Sequence, residues 1–147
     1  MSEMPTPNIG ADLQRIHRAV TRGLTVAHEN CQVFAETGFP DASTAEGFWK
    51  CCVALGGLLN GHHMSEDEIF FPFLRERLPD VDFDALSAQH EQMHAILGQM
   101  KAAGEAGSLD DMKGALSGLV DVWHPHIAVE EQAMSPEVAA EVVTIPE

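Results

Sequence analysis

A histidine, a glutamate four residues later and a proline six residues after that occur twice in this chain. They are His62, Glu66 and Pro72, then His126, Glu130 and Pro136, at a common offset of 64 residues. An imidazole and a carboxylate at i and i+4 lie one above the other on one helix face. That face carries apolar residues before and after the pair, so it is the face that turns to a core. Burying ionisable groups costs several kcal/mol each unless they are paired or bound to a metal. A chain that does so twice has the chemistry of a metal site.

The elements that must position these residues follow from the breaks. Gly38, Pro40 and Asp41 end a first segment, Pro79 and Asp80 a second, and Gly104 and Gly107, with Ser108 or Asp110 as cap, divide a third from a fourth. Each segment carries an apolar seam with spacings of three and four, the pattern of packed helices. The first seam reads Leu13, His17, Val20, Leu24, Ala27, Cys31, Phe34. The second reads Phe48, Cys52, Leu55, Leu59, His62, Glu66, Ile69, Phe73, and the fourth Met112, Leu116, Leu119, Trp123, His126, Glu130, Ala133. The third is less regular: Leu86, His90, then Met93 or His94, Leu97, Met100. No stretch alternates as a strand does. The predicted fold is all-α, an up-down-up-down antiparallel four-helix bundle over residues 10–137, with an extended arm over 1–9 and a tail over 138–147. The third helix is expected to be shorter than the fourth at their glycine loop. Pro125 is expected to kink or loosen the fourth helix just before His126.

Counting from the breaks brings the polar seam positions to one level. His17 lies as far before the first break as the His62–Glu66 pair lies after it, and that pair matches His90 and His94 across the second break, each within about one turn. The candidate ligands are therefore His17, His62, Glu66, His90, His94, His126 and Glu130. Imidazole suits iron, zinc, copper or nickel, and carboxylates can bridge two cations. Seven ligands exceed the four of a tetrahedral zinc. Two metals sharing two bridging carboxylates would use all seven and, with a solvent bridge added, leave one position open for a small ligand. His63, His124 and Glu131 fall off the seams; His63 is expected to pair with Asp67 on the solvated side. His28 lies about three turns from His17, too far for the same metal.

These residues carry a resemblance. The chain resembles the hemerythrin family of HHE cation-binding domains in His17 within DLQRIHRAV, in the H-x3-E of His62 and Glu66, in the H-x3-H of His90 and His94, and in the H-x3-E-E of His126, Glu130 and Glu131. The resemblance implies a non-haem centre of two iron ions, oxo- or hydroxo-bridged, inside a four-helix bundle. It further implies that His90, His94 and His126 hold one iron, that His17 and His62 hold the other with a site left for O2, and that Glu66 and Glu130 bridge. The family's oxygen carriers place an Asp five residues after the last His, whereas this chain offers Glu130 at four and Glu131 at five. The seam and the 64-residue repeat favour Glu130.

Composition bounds the function. The 147 residues suffice for one domain with a sizeable core, and 45% are hydrophobic. A formal charge of −15 provides no basic surface for nucleic acid or for anionic lipid. No apolar run approaches membrane-spanning length and no secretory signal opens the chain. Three cysteines, two of them adjacent, are not a disulfide framework, and a reducing cytoplasm is expected. The chain has no Tyr, which excludes phenolate ligation and a tyrosyl radical. The expected function is binding or sensing of O2, or of a related ligand such as NO. The alternative is a redox enzyme acting on peroxide, ferrous iron or NO at the same centre. Any protein partner is left unspecified.

Overall fold

The computed structural model describes residues 8–142, and every described element is helical. Of the expected arm only Asn8 and Ile9 are described, and of the expected tail only residues 138–142; the rest lies outside the described residues. The four long helices are α1 (Ile9–Thr37), α2 (Ala42–Ser65), α4 (Phe83–Ala106) and α5 (Leu109–Ala133), with the short α3 (Phe71–Arg75) and α6 (Pro136–Val142) after α2 and α5.

Each long helix starts at a side-chain cap that satisfies a free backbone N–H of the first turn. Asn8 accepts from Ala11 N, Asp41 from Thr44 N, Asp82 from Ala85 N and Ser108 from Asp111 N. Two stops rest on glycine. Gly38 and Gly107 adopt φ of 76° and 65°, the region a side chain disfavours, and end α1 and α4. α4 therefore runs its full 24 residues, through Gly104, against 25 in α5. It is not shortened as the sequence led one to expect, because Gly104 lies within the helix and only Gly107 takes the left-handed turn. α5 continues unbroken through Pro125.

α1 packs against α2 and α5, and α4 against α5 and α2, so each long helix touches two others. The buried apolar residues fall into two clusters. The larger holds Val20, Leu24, Leu55, Leu59, Met93, Leu116, Leu119 and Trp123. The smaller holds Leu13, Phe71, Leu74, Phe83, Leu86, Met134 and Ala139. α6 folds back onto α1 to complete the smaller cluster, and there Gly10 meets the α5–α6 turn so closely that an added Cβ would lie 2.7 Å from Met134 O.

One departure from the seams bears on the site. Between α2 and α3, residues Glu66–Phe70 form a π turn in which Phe71 N–H donates to Glu66 O. A π turn inserts one residue into the helical phase. The inward positions thus become Phe71 and Leu74, while the expected seam residues Ile69 and Phe73 are 63% and 39% exposed. The three cysteines are free thiols; Cys31 and Cys52 are buried, and burial pushes the Cys52 thiol up to about 12.

Candidate metal centre

Between the two apolar clusters lies a polar layer, built by one helical step on each long helix. His17 sits between Leu13 and Val20, Glu66 between Leu59 and Phe71, His90 between Leu86 and Met93, and His126 and Glu130 between Trp123 and Met134. The layer is therefore roofed and floored by hydrocarbon. Its buried polar residues are His17, His63, Glu66, His90, His126 and Glu130, with His62 nearly so.

Their ligand atoms fall into two adjoining groups. One is His17, His62 and Glu130; the other is His63, Glu66, His90 and His126; within each, one ligand atom per residue lies within 4.8 Å of the rest. The carboxylates reach across. Glu130 approaches His17 at 3.0 Å and His62 at 3.9 Å with one oxygen, and His126 at 2.9 Å and His90 at 3.9 Å with the other. Glu66 lies 3.1 Å from His62 and 3.4 Å from His90.

Outer partners orient two of the rings. His90 Nδ1 donates to Asp67 at 2.9 Å, and His126 Nδ1 donates to the Gln89 side-chain oxygen at 2.6 Å. These acceptors hold the ring protons on Nδ1, which leaves each Nε2 with a lone pair. The two Nε2 atoms face each other at 3.2 Å. Two lone pairs so close repel unless a cation lies between them. Five further atoms are buried without a hydrogen-bond partner among the described residues: His17 Nδ1, His62 Nε2, His63 Nε2, Glu66 Oε1 and Glu130 Oε2. Such orphans are costly in a dry layer, and metal ions would satisfy them. The donor set, imidazole with carboxylate, fits transition-metal cations.

The electrostatics agree with ligation by neutral imidazole. Burial pushes His62 down to about 4 and His63 down to about 2, with neighbouring histidines adding to the effect. Burial also lowers His90, against the opposing pull of Asp67. Burial, with the hydrogen bond and charge of Glu130, pushes Glu66 up to about 11. Burial acts upward on Glu130 too, but the His126 and His17 rings beside it hold it well below the usual range. The metal-free layer thus stores one proton on its carboxylate pair, and a cation would displace it.

Six of the seven candidate ligands come together here. His94 does not: it is exposed on α4, and Met93 takes the inward position. His63, expected to pair with Asp67 in solvent, is instead buried, and Asp67 bonds His90. The spacing Leu59, His63, Glu66 fits a seam as well as Leu59, His62, Glu66, so the pattern alone admits both histidines. Nothing in the sequence signalled Asp67 or Gln89 as orienting partners. Glu131 lies 3.5 Å from His17 Nδ1 and is part-exposed, outside both groups.

Comparisons with curated proteins and with solved structures found no match. The family model described as the hemerythrin HHE cation-binding domain matches residues 9–138, which takes in all four long helices and every residue of the polar layer. The chain belongs to the hemerythrin family of HHE cation-binding domains, and its buried His/Glu cluster is able to hold a metal.

Proposed function

We propose that the chain is a non-haem di-iron protein that binds or senses O2, or a related ligand such as NO. The long helices would form an up-down-up-down antiparallel bundle, with His17, His62, Glu66, His90, His126 and Glu130 among the ligands. The observation that carries the reading is the pair of adjoining ligand groups joined by two carboxylates, each of which touches histidines of both groups. That is the disposition of two cations sharing bridges. One cation would leave the orphaned atoms of the other group unsatisfied.

The residues around the layer define what it can do. When bound, a ferrous pair supplies the electrons that capture of O2 requires. Leu13, Val20 and Leu59 are buried beside the layer and Ile127 is half-buried, so water is held off on the His17 side. A dry surround disfavours the proton transfers that would turn a captured ligand into a released product. A cavity of about 330 Å³, lined by Asn60, His63, Met64, Asp67, His90 and His94 among others, leads from the surface to buried His63 and His90. It gives a diatomic ligand a way in. The larger cavity, about 680 Å³ between α2 and α4, touches neither buried carboxylate.

The test is metal quantification and an oxygen titration on one sample. Loaded anaerobically with ferrous iron, the chain should hold two irons. A visible band should appear on adding O2 and vanish when O2 is removed. Prompt irreversible oxidation, or steady O2 release from added peroxide, would favour the redox-enzyme alternative. One zinc per chain, with no second metal taken up, would defeat the di-iron reading.

A further inference from the structure

We propose that His63 on α2, rather than His94 on α4, completes the second metal's set, together with Glu66, His90 and His126. The inference rests on the two-metal reading above and adds a residue to it. Sequence position alone would assign this place to His94, one turn after His90.

Two features of the geometry support His63. First, the ligand atoms of His63, Glu66, His90 and His126 all lie within 4.8 Å of one another. Atoms bound on opposite sides of a metal at about 2.1 Å are about 4.2 Å apart, so the four close on a cation by small adjustments. Second, His63 is only 5% exposed and its Nε2 is buried without a partner among the described residues. That nitrogen is free to serve as the ligand atom His63 offers to the group. The ring also packs on its proposed co-ligands: it meets His126 edge-on at 5.8 Å and lies over His90 with centroids 4.0 Å apart and planes 13° apart, so one of the two stacked rings turns about its side-chain bonds when both bind the cation.

Helix geometry explains how neighbours serve different metals. Adjacent residues on a helix point about 100° apart. His62 turns toward His17 and Glu130, and His63 toward His90 and His126. The two histidines thus divide between the two groups, and α2 contributes one imidazole to each. His94 lies instead on the solvent side, on the walls of both cavities beside Leu97.

The experiment compares His63→Ala and His94→Ala with the unaltered chain. Each is loaded with ferrous iron under anaerobic dialysis, and iron per chain is counted together with the metal-free helicity by circular dichroism. The expected result is loss of one iron in His63→Ala and full loading in His94→Ala. Free imidazole added to His63→Ala should restore the lost iron by filling the vacated ligand position. Full loading of His63→Ala, or loss of iron in His94→Ala, would overturn the assignment. If His63→Ala loses helicity, His63→Gln replaces it and is read by the same count. If the unaltered chain holds one iron, the two-metal reading falls, and the assignment of His63 then stands only if His63→Ala holds none. If the unaltered chain holds no metal, both fall.

Discussion

At the scale of single residues the polar layer is a set of opposed proton preferences. In the metal-free protein His62 and His63 are held neutral far below the ordinary histidine value of 6.5, at about 4 and about 2, while Glu66 is held protonated up to about 11. The signs determine a pH dependence. The unfolded chain protonates its histidines below 6.5 and the folded one does not, so stability present above 6.5 is lost as pH falls toward 4. Glu66 acts the other way: its stability is present below 4.5 and is lost as pH rises toward 11. From pH 6.5 to 4.5 two histidine protons outweigh one carboxyl proton, a net loss of roughly 3 kcal/mol. Above 6.5 only Glu66 counts among these three, and stability falls again. The chelator-treated protein should therefore be most resistant to urea near pH 6.5 and weaker on both sides. A urea midpoint that climbs steadily from pH 5 to 9 would contradict this account of the layer.

At the scale of elements the π turn decides which side chains close the layer from below. It retains Glu66 in the layer yet turns Phe71 and Leu74 inward in place of Ile69 and Phe73. Phe71 packs against Phe83 with the rings tilted by 48° and stacks near His90 at 5.4 Å. Phe71→Ala should cost about 3–5 kcal/mol, since a buried ring leaves a cavity. Deleting exposed Ile69 removes the inserted residue, converts the π turn to α-helix and leaves Phe71 facing inward; it should cost far less. Equal losses in the two variants, measured by urea denaturation, would show that the phase shift is not what seats Phe71. The same turn shows where the sequence ceased to be legible. Helical seams with a three–four period bring His17, Glu66, His90, His126 and Glu130 to one level because burial of apolar neighbours leaves little freedom in phase. A seam is about 100° wide, however, and does not choose between adjacent positions such as His62 and His63, or Met93 and His94. Nor does a period reveal where one residue is inserted into it. The cap of α4, Asp82, lies two residues beyond the break read at Pro79 and Asp80, because the pattern gives helix existence more firmly than helix ends.

At the scale of the whole molecule the layer and the surface charge act on the same balance. A chain of formal charge −15 repels itself, and the repulsion is greatest when folded compactly. Its two apolar clusters are separated by groups that, without a cation, are buried with unpartnered atoms. Metal therefore stabilises the fold twice, by binding only the assembled layer and by adding positive charge where the chain has none. Binding at a hundred times the dissociation constant is worth about 2.7 kcal/mol. For a domain of this length that corresponds to a rise in Tm of about 10 °C. Salt separates the two contributions, because it screens surface repulsion and reaches a buried layer hardly at all. Raising sodium chloride should lift the Tm of the chelated protein while leaving the gain on adding ferrous iron nearly intact. If salt abolished that gain, the cation would be acting on the acidic surface, and the buried layer would not be where it binds.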